Sequence, residues 1–176
     1  MRHGLTIVYT GDGKGKTTAA LGVAVRAAGY QLKVLMIQFM KGSWHYGELE
    51  GAKLLAPFFE IEPMGKGFYK IVDDKLPEEE HKKAAAAAID RAIRVMQEGK
   101  YDIIILDEIN VAVDTGLVSL DQVQRVLQEK PKSCHLILTG RNAHPEIIKQ
   151  ADLVTEMREI KHPYQKGLLA QKGIDY

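Results

Sequence analysis

Nine residues constrain this chain more than any other segment: Thr10-Gly11-Asp12-Gly13-Lys14-Gly15-Lys16-Thr17-Thr18. They stand between an apolar run, Leu5 to Tyr9, and an alanine-rich stretch, Thr17 to Ala28. Closely spaced glycines let successive backbone N–H groups converge on one point, and a helix beginning there adds its positive end. Strand, glycine loop and helix in that order form a cradle for phosphate oxygens. Lys16 is placed to reach terminal phosphates and the Thr17 hydroxyl to ligate Mg²⁺. The segment therefore reads as a Walker A loop, with one departure. The usual G-x-x-x-x-G-K-[ST] pattern has glycine where this chain has Thr10.

Further short apolar runs follow at Val34 to Phe39, Ile103 to Leu106, Leu136 to Leu138 and Leu153 to Val154. Those at Val34 and Ile103 are almost continuously apolar, as strands covered on both faces are. Helical stretches separate them. Thr17 to Ala28 stops at Gly29; Glu78 to Glu98 follows Pro77, opens with three acids and closes at Gly99; Ser119-x-x-Gln122 has capping-box spacing; Pro145 to Gln150 is shorter. The alternation predicts an α/β fold of the P-loop NTPase type: a doubly wound, mostly parallel sheet with helices on both faces. Met40 to Lys75 breaks the alternation and is expected to be a long functional loop region with a short helix at Glu48 to Leu55.

The run Ile103 to Leu106 ends in Asp107-Glu108. Parallel strands deliver their C-terminal ends to the edge where ligands bind. The pair is thus placed to hold a metal beside the phosphate loop, directly or through water; capping a turn is the alternative for such a pair alone. An Mg-nucleotide site follows. Hydrolysis, phosphoryl transfer and nucleotide switching all use such a cradle.

The chain has 176 residues, 24 Lys+Arg and 23 Asp+Glu, for a formal charge of +1. One domain spanning 1–176 is expected at this length. Near-neutrality argues against nucleic-acid binding driven by bulk charge. The single cysteine, Cys134, allows no intramolecular disulfide, and no apolar run is long enough for a signal peptide or membrane span. A cytoplasmic protein without a membrane anchor is the expectation.

Three further blocks narrow the chemistry. They are Gln38-Phe39-Met40-Lys41-Gly42 followed by Gly47-Glu48; Leu138-Thr139-Gly140-Arg141-Asn142-Ala143; and Ala151 to Met157, then Lys161-His162-Pro163-Tyr164, Gly167 and Gln171-Lys172-Gly173-Ile174. Together with the T-G-x-G-K-G-K-T-T loop, which includes Thr10, they resemble the ATP:corrinoid adenosyltransferases of the CobA/BtuR type over nearly the whole chain.

The resemblance implies transfer of the 5′-deoxyadenosyl group of ATP to the Co(I) of a reduced corrinoid, cobalamin or a precursor, with release of triphosphate. It further implies ATP held in a reversed sense, a reduced flavoprotein as electron donor, and a homodimer. No protein nucleophile is needed. Lys16 and Lys14 would act catalytically by stabilising the leaving triphosphate, together with the loop from Gly11 through Asp12, Gly13, Gly15, Thr17 and Thr18 and with Mg²⁺. Thr17 and Glu108 are expected as metal ligands with Asp107 in support, and Asp12 near the nucleoside. Phe68, in Gly65-Lys66-Gly67-Phe68-Tyr69-Lys70, matches a G-x-G-F-T-W block whose aromatics help strip the axial ligand from cobalt; Tyr69 and Lys70 depart from it.

Arg141 is placed either to contact phosphate or to form a structural salt bridge. The rings of Trp44 and Tyr46 could pack on corrinoid, adenine or the core, and Glu48 could bond a corrinoid amide or cap its helix. His45, His144 and His162 are too dispersed for a zinc site. A P-loop ATPase or phosphotransferase, and an ATP-dependent corrinoid carrier, stand as the alternatives.

Overall fold

The structure, a computed structural model, describes residues 3–41, 45–67, 69 and 76–176. Six strands form one sheet: β1 (Thr6–Thr10), β2 (Val34–Gln38), β3 (Phe59–Pro63), β4 (Ile103–Asp107), β5 (His135–Thr139) and β6 (Leu153–Glu156). Their spatial order is β3-β2-β4-β5-β1-β6, and every pairing is parallel. The helices are α1 (Lys16–Gly29), α2 (Gly47–Leu54), α3 (Glu78–Glu98), α4 (Ile109–Asp114), α5 (Leu120–Glu129) and α6 (Pro145–Gln150). No described helix is long and apolar enough to cross a membrane.

Continuous apolarity in β2 and β4 has the cause expected of it. Val34, Met36, Ile103, Ile105 and Ile137 face a core shared with α1, while Leu35, Ile37, Ile104, Leu106, Leu136 and Leu138 face a second core shared with α3, α4 and α5. Successive side chains point to opposite faces, so a strand between two helix layers must be apolar at every position. Ala20, Ala24 and Ala27 are the buried stripe of α1. Their small size lets the helix lie close to the sheet, fixing the direction in which its N-terminus meets the glycine loop.

Two elements depart from expectation. The region Met40 to Lys75 contains an edge strand, β3, beside β2 as well as the anticipated helix. Its sequence, Phe-Glu-Ile-Glu-Pro, alternates because Phe59 and Ile61 pack on the α1-side core, while Glu60 and Glu62, on the other face, pair with Lys100 and Arg91. Helix α4 follows β4 with Glu108 alone between them, a residue at φ 63. That left-handed turn lets the acidic strand end pass directly into a helix. At the end of α1 the left-handed residue is Gln31, not Gly29. Ser119 and Gln122 form the anticipated capping box, and Gly99 closes α3 at φ 65.

Candidate active site

The glycine loop is held from behind by the chain that follows β6. Gly13 N–H donates to Met157 O at 2.7 Å, and Met157 N–H donates to Thr10 O at 2.8 Å. Gly11 lies at φ 95, and a Cβ there would stand 2.4 Å from Met157 O. Glycine is therefore required at this position for packing as well as for backbone freedom. Thr10, the departure from the usual pattern, accepts Ala143 N–H on its hydroxyl at 3.1 Å. β1 lies between β5 and β6, so one residue fastens the loop to the segments after both neighbours.

Lys16 is buried and donates to Gly13 O at 2.7 Å. Burial pushes its ammonium below the usual lysine value, an effect that Glu108 opposes and Arg141 reinforces. Thr17 follows Lys16 in the first turn of α1, and its hydroxyl donates to Asp107 Oδ1 at 2.8 Å. The same oxygen accepts the Thr139 hydroxyl at 2.8 Å, while Thr139 Oγ1 accepts Glu108 N–H at 2.9 Å. Gln38 donates to Asp107 Oδ2 at 3.3 Å and to Glu48 Oε1 at 3.4 Å. Gln38 Oε1 is buried without a hydrogen-bond partner among the described residues.

Glu108 carries the largest electrostatic consequence. Burial first, then the neighbouring Asp107 carboxylate, push it up to about 6, against the pull of Lys16, Lys41 and Arg141. A carboxyl held in this way gains from a nearby cation. Glu48 differs: burial alone would raise it, but hydrogen bonds from Lys41, its own backbone and Gln38 hold it below the usual range. Its side chain therefore serves Lys41 and Gln38 rather than capping α2, whose N-cap is Tyr46.

These groups meet at a cavity of about 600 Å³ whose lining includes Lys14, Lys16, Thr17, Thr18, Glu48 and Glu108. The last residues of the chain, Gly173 to Tyr176, also line it, and Asp175 pairs with Lys14 at 2.5 Å. Lys41 pairs with Glu48 and stands over the Tyr46 ring at 4.5 Å. Each lysine of the cavity thus has a carboxylate partner or neighbour.

The sequence-predicted residues of the loop, Gly11 to Thr18, together with Asp107 and Glu108, share one sheet edge. Asp12 is exposed and acts on Lys16 through its charge. Arg141 is exposed, without a hydrogen bond or ion pair among the described residues, and its charge is felt at Lys16 and Glu108. Phe68, Lys70 and Trp44 lie outside the described residues. His144 accepts Glu146 N–H at the start of α6, and His162 accepts Tyr164 N–H in a 3-10 turn (Pro163–Lys166). Gln38, Lys41, Thr139 and Asp175 were not foreseen as site residues. For Gln38 and Thr139 a signal existed: each is a polar strand end directly after an apolar run, Val34 to Ile37 or Leu136 to Leu138, and points to the ligand edge.

The ATP:corrinoid adenosyltransferase family, BtuR/CobO/CobP, matches residues 2–176 of this chain. The chain belongs to that family. Relatives named corrinoid adenosyltransferase are 40% identical in Escherichia coli K12, over 99% of this chain and 86% of the relative, and 35% identical in Pseudomonas aeruginosa, over 99% and 84%. The corrinoid adenosyltransferase CobA of Salmonella typhimurium is 38% identical over 99% and 86%. Among solved structures, flagellar accessory protein FlaH of Methanocaldococcus jannaschii superposes with a TM-score of 0.59, covering 89% of this chain and 72% of its own, at 14% identity. That likeness concerns the fold alone.

Proposed function

We infer that this protein transfers the 5′-deoxyadenosyl group of ATP to the cobalt of a reduced corrinoid. The observation that carries the reading is the family match over residues 2–176, on a chain whose phosphate loop and acidic strand end meet at one cavity. The Co(I) of the substrate supplies an electron pair to C5′ of ATP, a Co–C bond forms, the C5′–O bond breaks, and inorganic triphosphate leaves with the bonding pair.

No side chain of the protein acts as nucleophile. Alignment of cobalt with C5′ is worth up to roughly 7–11 kcal/mol in well-oriented systems. Lys16, Lys14 and the N–H groups of the loop, other than that of Gly13, which donates to Met157 O, stabilise charge gathering on the departing triphosphate. Thr18 lies at the cavity wall as a further hydroxyl donor. Arg141 brings positive charge to the same edge, and Asp12 lies toward the nucleoside.

Thr17, Asp107 and Glu108 offer only oxygen donors, a set suited to a hard cation such as Mg²⁺, which takes one or two carboxylates together with substrate phosphates. The raised Glu108 and the orphaned Gln38 Oε1 support the fit. Bound there, Mg²⁺ would neutralise triphosphate charge. Thr17 and Glu108 would hold it, and Asp107, already engaged by Thr17, Thr139 and Gln38, would orient Thr17.

A cavity of about 600 Å³ is too small to enclose a corrinoid. The segment 40–75, with Phe68 stripping the axial ligand, and a second subunit of a homodimer would cover it. A reduced flavoprotein would supply Co(I), and the single domain 1–176 would work in the cytoplasm on cobalamin or a biosynthetic precursor.

Single-turnover mixing of protein, MgATP and chemically generated cob(I)alamin tests the reading. A light-sensitive alkylcobalt spectrum with stoichiometric triphosphate is expected. ADP and phosphate as the main products, or absence of the alkyl species, would overturn it.

A further inference from the structure

The last turn of the chain stands in the nucleotide cavity although the reaction, as written, has no use for it. Residues 171–176 fold on themselves: Ile174 and Asp175 N–H groups donate to Gln171 O, and Gly173 N–H donates to Tyr176 O at 2.7 Å. Gln171 N–H in turn donates to Asp175 Oδ2 at 2.8 Å, which aims Oδ1 at Lys14 Nζ, 2.5 Å away. Tyr176 lies against Gly47 at the start of α2, so the turn reaches from the phosphate loop to the opposite wall. All six residues are exposed. No core burial holds the turn in place, and its tie to the loop is a charge pair.

That charge pair conflicts with the loop's task. A carboxylate oxygen and a phosphate oxygen are equivalent acceptors for an ammonium, and Lys14 is one of two lysines assigned to the triphosphate. A triphosphate chain reaching Lys14 would also bring several negative charges beside Asp175. The Lys14 ammonium, and after it the Gln171 N–H, hold the Asp175 carboxyl below the usual range, so it meets an arriving triphosphate as a carboxylate.

We propose that Asp175 is an internal competitor of the triphosphate chain for Lys14, displaced as ATP enters and returning as inorganic triphosphate leaves. The inference rests on the reading of the loop as the triphosphate site. It assigns the terminal turn to product release: a carboxylate tethered beside the loop weakens the hold on a polyanionic product without touching the reacting carbon. Lys16, buried and without this partner, keeps its grip on the phosphates throughout.

The test is calorimetric titration of the full chain with inorganic triphosphate and, separately, with ATP, each with Mg²⁺ present. Asp175→Asn keeps the shape and the Gln171 contact but removes the charge. It should tighten inorganic triphosphate by about two- to fivefold, the range for an exposed ion pair. Asp175→Glu should return the affinity to the wild-type value. Unchanged or weaker triphosphate binding by Asp175→Asn overturns the inference, as does loss of ATP affinity with triphosphate affinity intact, which would place Asp175 on the nucleoside. Those outcomes leave adenosyl transfer standing. Failure of the wild-type chain to bind triphosphate overturns the loop assignment and this inference together.

Discussion

Thr17 and Asp107 are joined by a 2.8 Å hydrogen bond across ninety residues of sequence, and Thr139 donates to the same carboxylate oxygen. The bond couples the start of α1 to the end of β4, although β5 lies between β1 and β4 in the sheet. β5 does not merely separate the two halves of the site. Its last side chain braces the Asp107 carboxylate on which the bridge from α1 rests.

Thr139→Val should therefore damage both stability and metal-dependent binding. It removes a donor to a buried carboxylate and leaves Glu108 N–H without its acceptor. An unsatisfied buried polar group costs about 1–3 kcal/mol. A fall of that size in urea unfolding is expected, together with weaker Mg²⁺-dependent ATP binding, and Thr139→Ser should recover most of both. A valine variant as stable as wild type would remove Thr139 from the bridge.

Glu108 yields a pH prediction of definite sign. Its carboxyl moves from the ordinary 4.5 to about 6 in the folded chain, chiefly through burial and then through Asp107. Between those values the folded state binds the proton more tightly than the unfolded state. Folding therefore carries no penalty from this group below pH 4.5, loses stability as the pH rises through that window, and bears the full cost of about 2 kcal/mol above 6, at 1.36 kcal/mol per unit. Metal-free Glu108→Gln should be more stable than wild type by that order at pH 7.5, with the gap closing by about pH 4.5. Denaturant unfolding at the two pH values reads it directly. Wild-type Mg²⁺-dependent ATP binding should weaken as pH falls through 6, where proton and cation compete; an unaltered Mg²⁺ dependence in Glu108→Gln would contradict its place as a ligand.

Much of this arrangement is written locally. The loop from Thr10 to Thr18, the paired acids after Ile103 to Leu106, and the ends of α3 and α6 depend on motifs, apolar runs and capping residues that act within a few positions. β3 was hidden because an edge strand needs no continuous apolar run, and its glutamates resemble loop residues. α4 was hidden because its entry is a left-handed Glu108, a turn no residue preference announces. The bracing of Asp107 by Thr139, the seat of Met157 behind Gly11 and Gly13, and the Lys14–Asp175 pair arise from strand order and chain return. Such contacts span long sequence separations, and only the assembled sheet brings them together.

Thr10 gives a test of the loop's departure from the common pattern. Thr10→Gly restores the usual glycine but loses the hydroxyl that accepts Ala143 N–H, and it frees the backbone in the unfolded chain. The lost hydrogen bond and the added entropy each amount to about 1 kcal/mol. A lower thermal midpoint is expected, corresponding to about 1–2 kcal/mol, with Thr10→Ser intermediate. If the glycine variant melts with the wild type, the hydroxyl is not what fastens the loop to the chain after β5.

Lys16 separates charge stabilisation from folding. Its ammonium is buried, held below its usual pKa by that burial, and folded back on Gly13 O at 2.7 Å. Lys16→Ala removes a desolvated charge, so the variant should remain folded in the absence of nucleotide. Its loss should fall on the reaction instead: removing one preorganised donor to a developing anion costs on the order of 10²–10³ in rate. Single-turnover formation of the alkylcobalt spectrum with preformed cob(I)alamin should slow by at least that factor, while the far-ultraviolet spectrum and thermal midpoint stay close to wild type. Because cobalt is already reduced in this assay, the loss cannot be assigned to electron delivery. Wild-type rates in Lys16→Ala would show that the triphosphate leaves without help from the buried lysine and would move the charge stabilisation to Lys14 and the backbone N–H groups.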